Sequence, residues 1–303
     1  MRRGIGYVRE ALPLGNTLYS REVKENLMLK KRAITALWGI PLLVATIWFD
    51  QPLPWFTIVV AIWGLLAAFE FYKMVAVAKV PPLTYFGLIW TLLFILSPHF
   101  DYATLTPLLL TSAVILPLIY LLWRSRREAF TSWVWTIAGI LYLGWLLSHF
   151  VALRGLDAGD AGRNWVFFAL FTTFASDTTA FFIGRVLGRH HLAPHISPGK
   201  TWEGAIAGVC GAIIVSLFFI LPKLFTLPNP LYLQDFACWQ AILLGVSVSI
   251  FGQLGDLIES LLKRNMGVKD SSQLIPGHGG FLDRIDSVVF AGVVVYYYAI
   301  WVV

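Results

Sequence analysis

Residues 164–187 read NWVFFALFTTFASDTTAFFIGRVL, an apolar run with a single carboxylate, Asp177, near its middle. A helix needs about 20 mostly apolar residues to cross the hydrocarbon core of a bilayer, and this run is long enough. Eight further stretches have the same character: 33–49, 52–75, 83–98, 104–123, 131–152, 203–225, 236–260 and 286–303. The pattern predicts an all-α fold, a polytopic membrane helix bundle with about nine transmembrane helices.

The composition indicates the same environment. Of the 303 residues, 58% are hydrophobic and 13% are charged, whereas a soluble domain carries about 25% charged residues. Because a water-soluble globule could not bury so much apolar surface, an ordinary soluble fold is excluded. The net charge of +6 comes without a basic domain interleaved with aromatic residues, so no nucleic-acid partner is expected. Cys210 and Cys238 lie in apolar stretches and are expected to be small core residues.

The distribution of cations predicts an orientation. If the N-terminus is cytoplasmic, nine spans place 20 of the 23 Lys and Arg residues on the cytoplasmic side, leaving Arg154, Arg163 and Lys223 on the other. Such an excess of positive charge is typical of cytoplasmic loops. We therefore expect a cytoplasmic N-terminus and a C-terminus on the opposite face.

Three parts are expected along the chain: a basic cytoplasmic N-terminal segment at 1–32, an N-terminal transmembrane scaffold at 33–160 and a C-terminal transmembrane catalytic region at 161–303. Whether residues 1–27 belong to the native start stays open, since Met28 directly precedes the basic residues of the first span. Within the scaffold, Glu70 is interpreted as a helix-end partner of Lys73, three residues further on, in preference to a functional group.

The C-terminal region contains two polar clusters, and the first begins with Asp177. A carboxylate inside an apolar span costs roughly 2.5–3.5 kcal/mol on insertion scales unless it is paired or coordinated, so a functional role is expected. The loop before the seventh predicted span contains Ser197, Gly199, Lys200 and Thr201. Gly199 allows close backbone approach, Lys200 and Thr201 supply donors, and the following helix is expected to offer free N–H groups. This loop predicts a phosphate-binding site.

The second cluster lies where the eighth predicted span ends and the ninth begins. On a continuous helix Asp256, Ser260 and Lys263 share one face, and Asp283 and Asp286 stand three residues apart after a Pro-Gly-His-Gly-Gly turn. Carboxylates beside cations at the membrane edge suit a hard divalent ion that bridges phosphate oxygens, such as Mg²⁺. A salt-bridged helix end is the alternative, but it does not explain the glycine-rich turn between the acids.

These residues resemble a known signature. Ser260-Leu-Leu-Lys263-Arg264, Lys269-Asp270 and the run 276–286, PGHGGFLDRID, are similar to the motif of the phosphatidate cytidylyltransferase (CDP-diacylglycerol synthase) family. The stretches 176–178 and 196–204 resemble the other characteristic segments of that family. One departure is Thr179, where the family commonly has Gly.

The resemblance implies a Mg²⁺-dependent enzyme with one or two ions, which transfers the cytidylyl group of CTP to phosphatidate in phospholipid biosynthesis. The products would be CDP-diacylglycerol and pyrophosphate. The implied partners are CTP, phosphatidate and membrane lipid, and a homodimer stays open. The implied location is the cell inner (cytoplasmic) membrane, multi-pass, with the active site on the cytoplasmic side.

Site residues follow from the resemblance position by position. The implied catalytic residues are Asp256, Asp283, Lys263 and Arg284. The implied metal ligands are Asp256 and Asp283, with Asp286 as a weaker candidate. The implied substrate-binding residues are Asp177, Ser197, Lys200, Thr201, Ser260, Arg264, Lys269 and His278. Because phosphatidate already carries a largely ionised phosphate, direct attack on the α-phosphorus of CTP is expected without a Ser-His-Asp or Cys-His nucleophile.

Three other functions compete with this one. A CTP-dependent kinase of a polyprenyl alcohol would use similar chemistry but transfer the γ-phosphoryl group. An ion-coupled transporter would use Asp177 and Asp256 as an intramembrane cation path, but paired half-repeats are not visible in the sequence. CDP-alcohol phosphotransferases are disfavoured because their Asp-Gly-x-x-Ala-Arg motif does not occur.

Overall fold

The computed structural model describes residues 37–50, 53–124, 128–156, 160–225, 228–234, 236–272 and 279–302. The basic segment at 1–32 lies outside these residues. Within the described part the chain forms eleven α-helices and one small β-hairpin.

The helices follow one another through short connections. Their bounds are α1 Leu37–Trp48, α2 Trp55–Val77, α3 Thr84–Leu96, α4 Tyr102–Arg124, α5 Ala129–Gly139, α6 Leu146–Arg154, α7 Asp160–Leu187, α8 Trp202–Phe218, α9 Leu221–Phe225, α10 Cys238–Asn265 and α11 Leu282–Val302. A π-helical segment, Ile140–Trp145, joins α5 to α6, so that Ala129–Arg154 forms one continuous rod. A 3₁₀ turn, Ser97–His99, extends α3.

Six of these rods are long and apolar enough to cross a membrane: α2, α4, α5–α6, α7, α10 and α11. The other three predicted spans coincide with shorter apolar helices, namely α1, the extended α3 and α8, each of 10–17 residues. The helical class is therefore confirmed. The count of nine crossings and the cytoplasmic N-terminus stay predictions.

The surface is apolar, as expected for a chain surrounded by lipid. Four aromatic side chains are more than 70% exposed: Trp38, Tyr85, Trp123 and Trp301. Such large exposed apolar groups would be unfavourable in water, and Trp and Tyr are enriched at membrane interfaces. The expectation that Cys210 and Cys238 are core residues is wrong, because both thiols are free and exposed on this surface.

The C-terminal helices α7, α8, α10 and α11 pack directly against one another. Helices α7 and α8 approach closely because α8 presents small residues at Gly204, Gly208 and Gly211, and a methyl group on Gly211 would overlap the Thr179 side chain. Such small-residue stripes let helix backbones come together. A hydrogen bond of 2.7 Å between the hydroxyls of Ser176 and Ser249 then joins α7 to α10.

The loop between α7 and α8 folds as an antiparallel hairpin of β1 (His191–Ala193) and β2 (Ser197–Thr201). His191 pairs with Thr201 and Ala193 with Ser197. The backbone N–H of Arg189 donates to Glu203 Oε2 at 3.1 Å, which ties the base of the hairpin to the first turn of α8. The hairpin therefore lies over the ends of α7 and α8 and carries Lys200 inward.

Candidate active site

A polar pocket of about 630 Å³ opens between α7, α8, α10, α11 and the hairpin. Its volume is within the usual range for small-molecule sites, roughly 300–1,000 Å³. The charged and polar residues that line it are Asp177, Arg185, Lys200, Thr201, Gln253, Asp256, Glu259, Lys263, Asp283, Asp286 and Ser287. The two predicted polar clusters, whose acids Asp177 and Asp256 are 79 residues apart in sequence, thus meet in one cavity.

One wall of the pocket is closed by an ion pair between the hairpin and α10. Lys200 Nζ lies 2.7 Å from Asp256 Oδ2, and both side chains are partly exposed to the cavity. On the other side of the same carboxylate, the Ser260 hydroxyl lies 3.4 Å from Asp256 Oδ1. Asp256 and Ser260 share a helix face, as their spacing predicts, and Lys200 is brought to that face by the hairpin.

A second cation, Lys263, lies between two carboxylates. Its Nζ is 2.5 Å from Glu259 Oε2 on α10 and 2.6 Å from Asp283 Oδ1 on α11. The side chain of Glu259 is 1% exposed and that of Lys263 is 13% exposed. Since an ammonium group has three donors, a third N–H of Lys263 can donate to another acceptor.

Asp283 is the most extensively bonded acid of the pocket. Besides Lys263 on Oδ1, its Oδ2 accepts the Ser271 hydroxyl at 2.8 Å, the Ser271 N–H at 3.3 Å and the Gly280 N–H at 2.8 Å. Both carboxylate oxygens are thus engaged by the protein itself. This arrangement fixes the start of α11 against the end of α10.

Asp177, Asp256 and Asp286 supply the remaining carboxylates of the pocket. A methyl group on Gly255 would lie 2.5 Å from the Asp286 carbonyl oxygen, so α10 and α11 are in direct contact there. Among the described residues, no three His, Cys, Asp or Glu side chains are grouped so as to hold a metal ion. Mg²⁺ commonly takes one or two carboxylates and completes its coordination with substrate phosphates and water. The carboxylates of Asp177, Asp256 and Asp286 are hard oxygen donors of the kind that this coordination requires.

This geometry, acids and lysines gathered at the end of an apolar bundle, can be compared with known proteins. A family model described as the cytidylyltransferase family matches residues 30–302. The chain belongs to this family.

Curated relatives carry a more specific name. The chain is similar to the phosphatidate cytidylyltransferase of Bacillus subtilis (strain 168), with 33% identity over 239 residues, 78% of this chain and 85% of that protein. It is also 33% identical over 273 residues to the phosphatidate cytidylyltransferase of Brucella abortus biovar 1, covering 88% and 92% of the two chains. Phosphatidate cytidylyltransferase 5, chloroplastic, of Arabidopsis thaliana is 36% identical over 272 residues, 80% of this chain and 65% of its own.

Other predicted site residues of this cytidylyltransferase-family chain lie around the pocket and not in its lining. Arg264 is exposed and donates from Nε to the Ile196 carbonyl at 3.3 Å, which ties the hairpin to α10. Arg284 lies on the opposite side of α11, where it lines a separate apolar pocket with Phe56 and Trp63 of α2. Ser197 and Lys269 are not among the lining residues, and His278 lies outside the described residues.

The expectation of free N–H groups at the start of α8 is wrong at two positions. The Trp202 N–H donates to the His190 carbonyl at 2.9 Å, and the Gly204 N–H donates to Thr201 Oγ1 at 3.2 Å. The physical reason is that the hairpin folds back on the helix start and satisfies these donors itself. Thr201 is thus the N-cap of α8 while it also lines the pocket.

Two acids were not predicted as site residues. Glu259 stands four residues before Lys263, and this spacing alone could have indicated the pair.

The interpretation of Glu70 as a partner of Lys73 is wrong: Glu70 is fully buried, because α2 packs beside α11. Lys73 Nζ lies instead over the ring of Phe69, 4.4 Å from its centroid. The sequence signal for a role of Glu70 is that it is an acid at the end of an apolar span.

Proposed function

We propose that the chain transfers the cytidylyl group from CTP to phosphatidate, giving CDP-diacylglycerol and pyrophosphate in phospholipid biosynthesis. Family membership and the names of the curated relatives support this activity. The structural observation that carries it is the pocket in which Lys200 and Lys263 stand among carboxylates at the end of an apolar helix bundle. An ionised lipid headgroup and a nucleoside triphosphate both require fixed cations, and the lipid also requires a route from the bilayer.

In the proposed reaction, a phosphate oxygen of phosphatidate attacks the α-phosphorus of CTP. The new bond joins that oxygen to the α-phosphorus, the bond between the α-phosphorus and its bridging oxygen to the β-phosphorus breaks, and pyrophosphate leaves with the electron pair. No side chain needs to remove a proton, because the attacking oxygen is already ionised. The contribution of the protein is therefore alignment and charge stabilisation.

Lys263 is suited to bind a phosphate oxygen in a fixed position. Glu259 and Asp283 hold its ammonium group at 2.5 and 2.6 Å, and its third donor can reach a substrate oxygen. Because Glu259 and Asp283 fix the position of the ammonium group, little reorganisation is needed as charge develops in the transition state.

Lys200 and Asp256 are suited to exchange partners when substrate binds. They neutralise each other at 2.7 Å. We assign Lys200 to a phosphate of the substrate and Asp256, with Asp286, to Mg²⁺. Asp283 is a weaker candidate ligand, since both of its oxygens already accept hydrogen bonds from the protein. Bound Mg²⁺ would neutralise phosphate charge and stabilise the leaving pyrophosphate.

We further propose nine crossings, a cytoplasmic N-terminus and a pocket that opens to the cytoplasm from the cell inner membrane. The distribution of Lys and Arg supports this orientation. It would place the pocket on the side where CTP is available.

The activity is tested with CTP labelled at either the α- or the γ-phosphate. Purified protein in phospholipid nanodiscs with phosphatidate and Mg²⁺ is expected to move the α-label into lipid and to release the γ-label as pyrophosphate. The matched control is Asp256→Asn, which is expected to abolish transfer. Transfer of the γ-label into lipid would instead indicate a kinase, and absence of any lipid labelling would refute the proposal.

A further inference from the structure

We propose that Glu70 is a positioning residue of the active site, although it lies on α2 in the N-terminal scaffold. Its carboxylate holds the connection between α10 and α11 in place and thereby keeps Asp283 on Lys263. This inference rests on the proposed function and adds to it a role for a helix that contributes no residue to the pocket lining.

The bonding of Glu70 is the first observation. Its side chain is completely buried, and Oε1 accepts the Ser272 hydroxyl at 2.5 Å. Oε2 accepts the Leu282 N–H at 3.0 Å and lies 3.1 Å from the Ser271 hydroxyl oxygen. None of the ion pairs among the described residues includes Glu70. A buried carboxylate without a cation depends on such contacts, and all three partners lie in the α10–α11 connection or at the first residue of α11.

The second observation is that Ser271 bridges Glu70 to the catalytic groups. The Ser271 Oγ is 3.1 Å from Glu70 Oε2 and 2.8 Å from Asp283 Oδ2. Asp283 Oδ1 in turn lies 2.6 Å from Lys263 Nζ. A continuous series of four side chains thus runs from α2 to the pocket cation, and each member contacts the next within hydrogen-bonding distance.

The third observation is that the backbone at Gly280 packs tightly against the side chains of Ser271 and Glu70. A methyl group on Gly280 would overlap both Ser271 Oγ and Glu70 Oε2. The Leu282 N–H that Glu70 accepts belongs to the first turn of α11, where a carboxylate also interacts favourably with the helix dipole. A shift of Glu70 would therefore move the start of α11, and Asp283 is the next residue.

The kinetic test is a double-mutant cycle of Glu70→Gln, Ser271→Ala and the double variant. We expect each single variant to lower kcat at least about tenfold, while KM for CTP and for phosphatidate changes less than about threefold. The double variant is expected to be no slower than the slower single variant, because both act through Asp283. Multiplicative losses would show that Glu70 acts independently of Ser271 and would overturn the proposal.

The matched control is Thr57→Val. Thr57 is another buried polar residue of α2, whose hydroxyl lies 2.8 Å from His99 Nε2, away from the pocket. Thr57→Val is expected to keep kcat within about twofold of the unsubstituted protein. An equal loss in this variant would indicate that any buried polar substitution in α2 impairs the enzyme, against a positioning role for Glu70.

A second measurement is independent of the reaction. Trace acetylation of the substrate-free protein is read by mass spectrometry as the labelling of Lys263 relative to the exposed Lys79. Glu70→Ala and the milder Ser272→Ala are expected to raise this ratio at least about threefold, since Asp283 no longer holds the ammonium group. An unchanged ratio in Ser272→Ala and in folded Glu70→Ala would overturn the positioning role. Failure of α-label transfer by the unsubstituted protein would overturn the proposed function alone.

Discussion

At the scale of single residues, the site depends on how charges are paired inside a low-dielectric bundle. Lys263 is surrounded by Glu259 and Asp283 at 2.5 and 2.6 Å. Removing one partner of a buried ion pair leaves an uncompensated charge, which costs more than the pair itself contributes. The two acids therefore fix the position of the cation, and the cation in turn keeps two carboxylates of adjacent helices together.

Substituting Lys263 by Met tests this dual role. We expect Lys263→Met to lower kcat at least about 100-fold, by analogy with the loss of a transition-state donor, and to destabilise the fold by about 3–5 kcal/mol. Adding Glu259→Gln is expected to recover part of the stability without recovering activity. Label transfer and thermal unfolding in detergent measure the two effects.

The exposed Lys79→Met is the matched control for Lys263→Met and is expected to change neither quantity. Recovery of activity in the Lys263→Met/Glu259→Gln protein would contradict a direct role of Lys263 in binding phosphate. It would leave charge balance as the sole function of that residue.

The acids of this site differ in how far the sequence predicts them. Asp256, Asp283 and Asp286 are visible because each stands in a local motif with a helical spacing. Glu259 has a local signal as well, its i,i+4 relation to Lys263. Glu70 has none beyond being an acid at the end of an apolar run, since its partners are more than 200 residues away in sequence. Contacts of that range depend on which helices pack together, which periodicity does not encode.

At the scale of elements, the hairpin between α7 and α8 combines two tasks. It carries Lys200 to Asp256, and its last residue, Thr201, caps α8 by accepting the Gly204 N–H at 3.2 Å. The sequence predicts a phosphate-binding loop here, because Gly199 allows close backbone approach and Lys200 and Thr201 supply donors. It does not predict strands, since three and five residues are too few for a periodic pattern.

The capping role of Thr201 predicts how two substitutions differ. Thr201→Ala is expected to destabilise the protein by about 0.5–2 kcal/mol, because the N-cap acceptor is lost. Thr201→Ser keeps the hydroxyl and is expected to have the unfolding temperature and the activity of the unsubstituted protein. The exposed Thr111→Ala on α4 is the matched control, with an unchanged unfolding temperature.

Thermal unfolding in detergent and KM for CTP together separate the two roles of Thr201. A raised KM in Thr201→Ala with an unchanged unfolding temperature would contradict the capping role. It would assign the hydroxyl to substrate alone.

At the scale of the whole molecule, hydropathy predicts where the helices lie better than it predicts how long each helix is. All nine apolar stretches contain a helix, yet α1, the extended α3 and α8 have only 10–17 residues. Helix α8 illustrates the cause. The predicted span runs from 203 to 225, but the chain turns at Phe219 and Ile220, and a separate short helix follows. Hydropathy does not register such a turn, because the turning residues are themselves apolar.

The orientation of the bundle yields a prediction that depends on its architecture. The hairpin contacts the C-terminal part of α10 through Lys200 and Arg264, whereas Gln234 lies in the segment before the start of that helix. Because α10 is long enough to span the membrane, the two loops should lie on opposite faces. The excess of cations on the hairpin side predicts that this side is cytoplasmic.

Single thiols placed in the two loops test this arrangement. In a chain with Cys210→Ser and Cys238→Ser, we expect Gln234→Cys to react with a membrane-impermeant maleimide in right-side-out vesicles, and His195→Cys to react in inverted vesicles. Both positions are exposed, so both thiols should react equally in detergent, which is the control. The reverse pattern would invert the proposed orientation. Labelling of both thiols from one side would mean that α10 does not cross the membrane. The pocket would then not lie at the membrane surface, where phosphatidate from the bilayer and CTP from solution can meet.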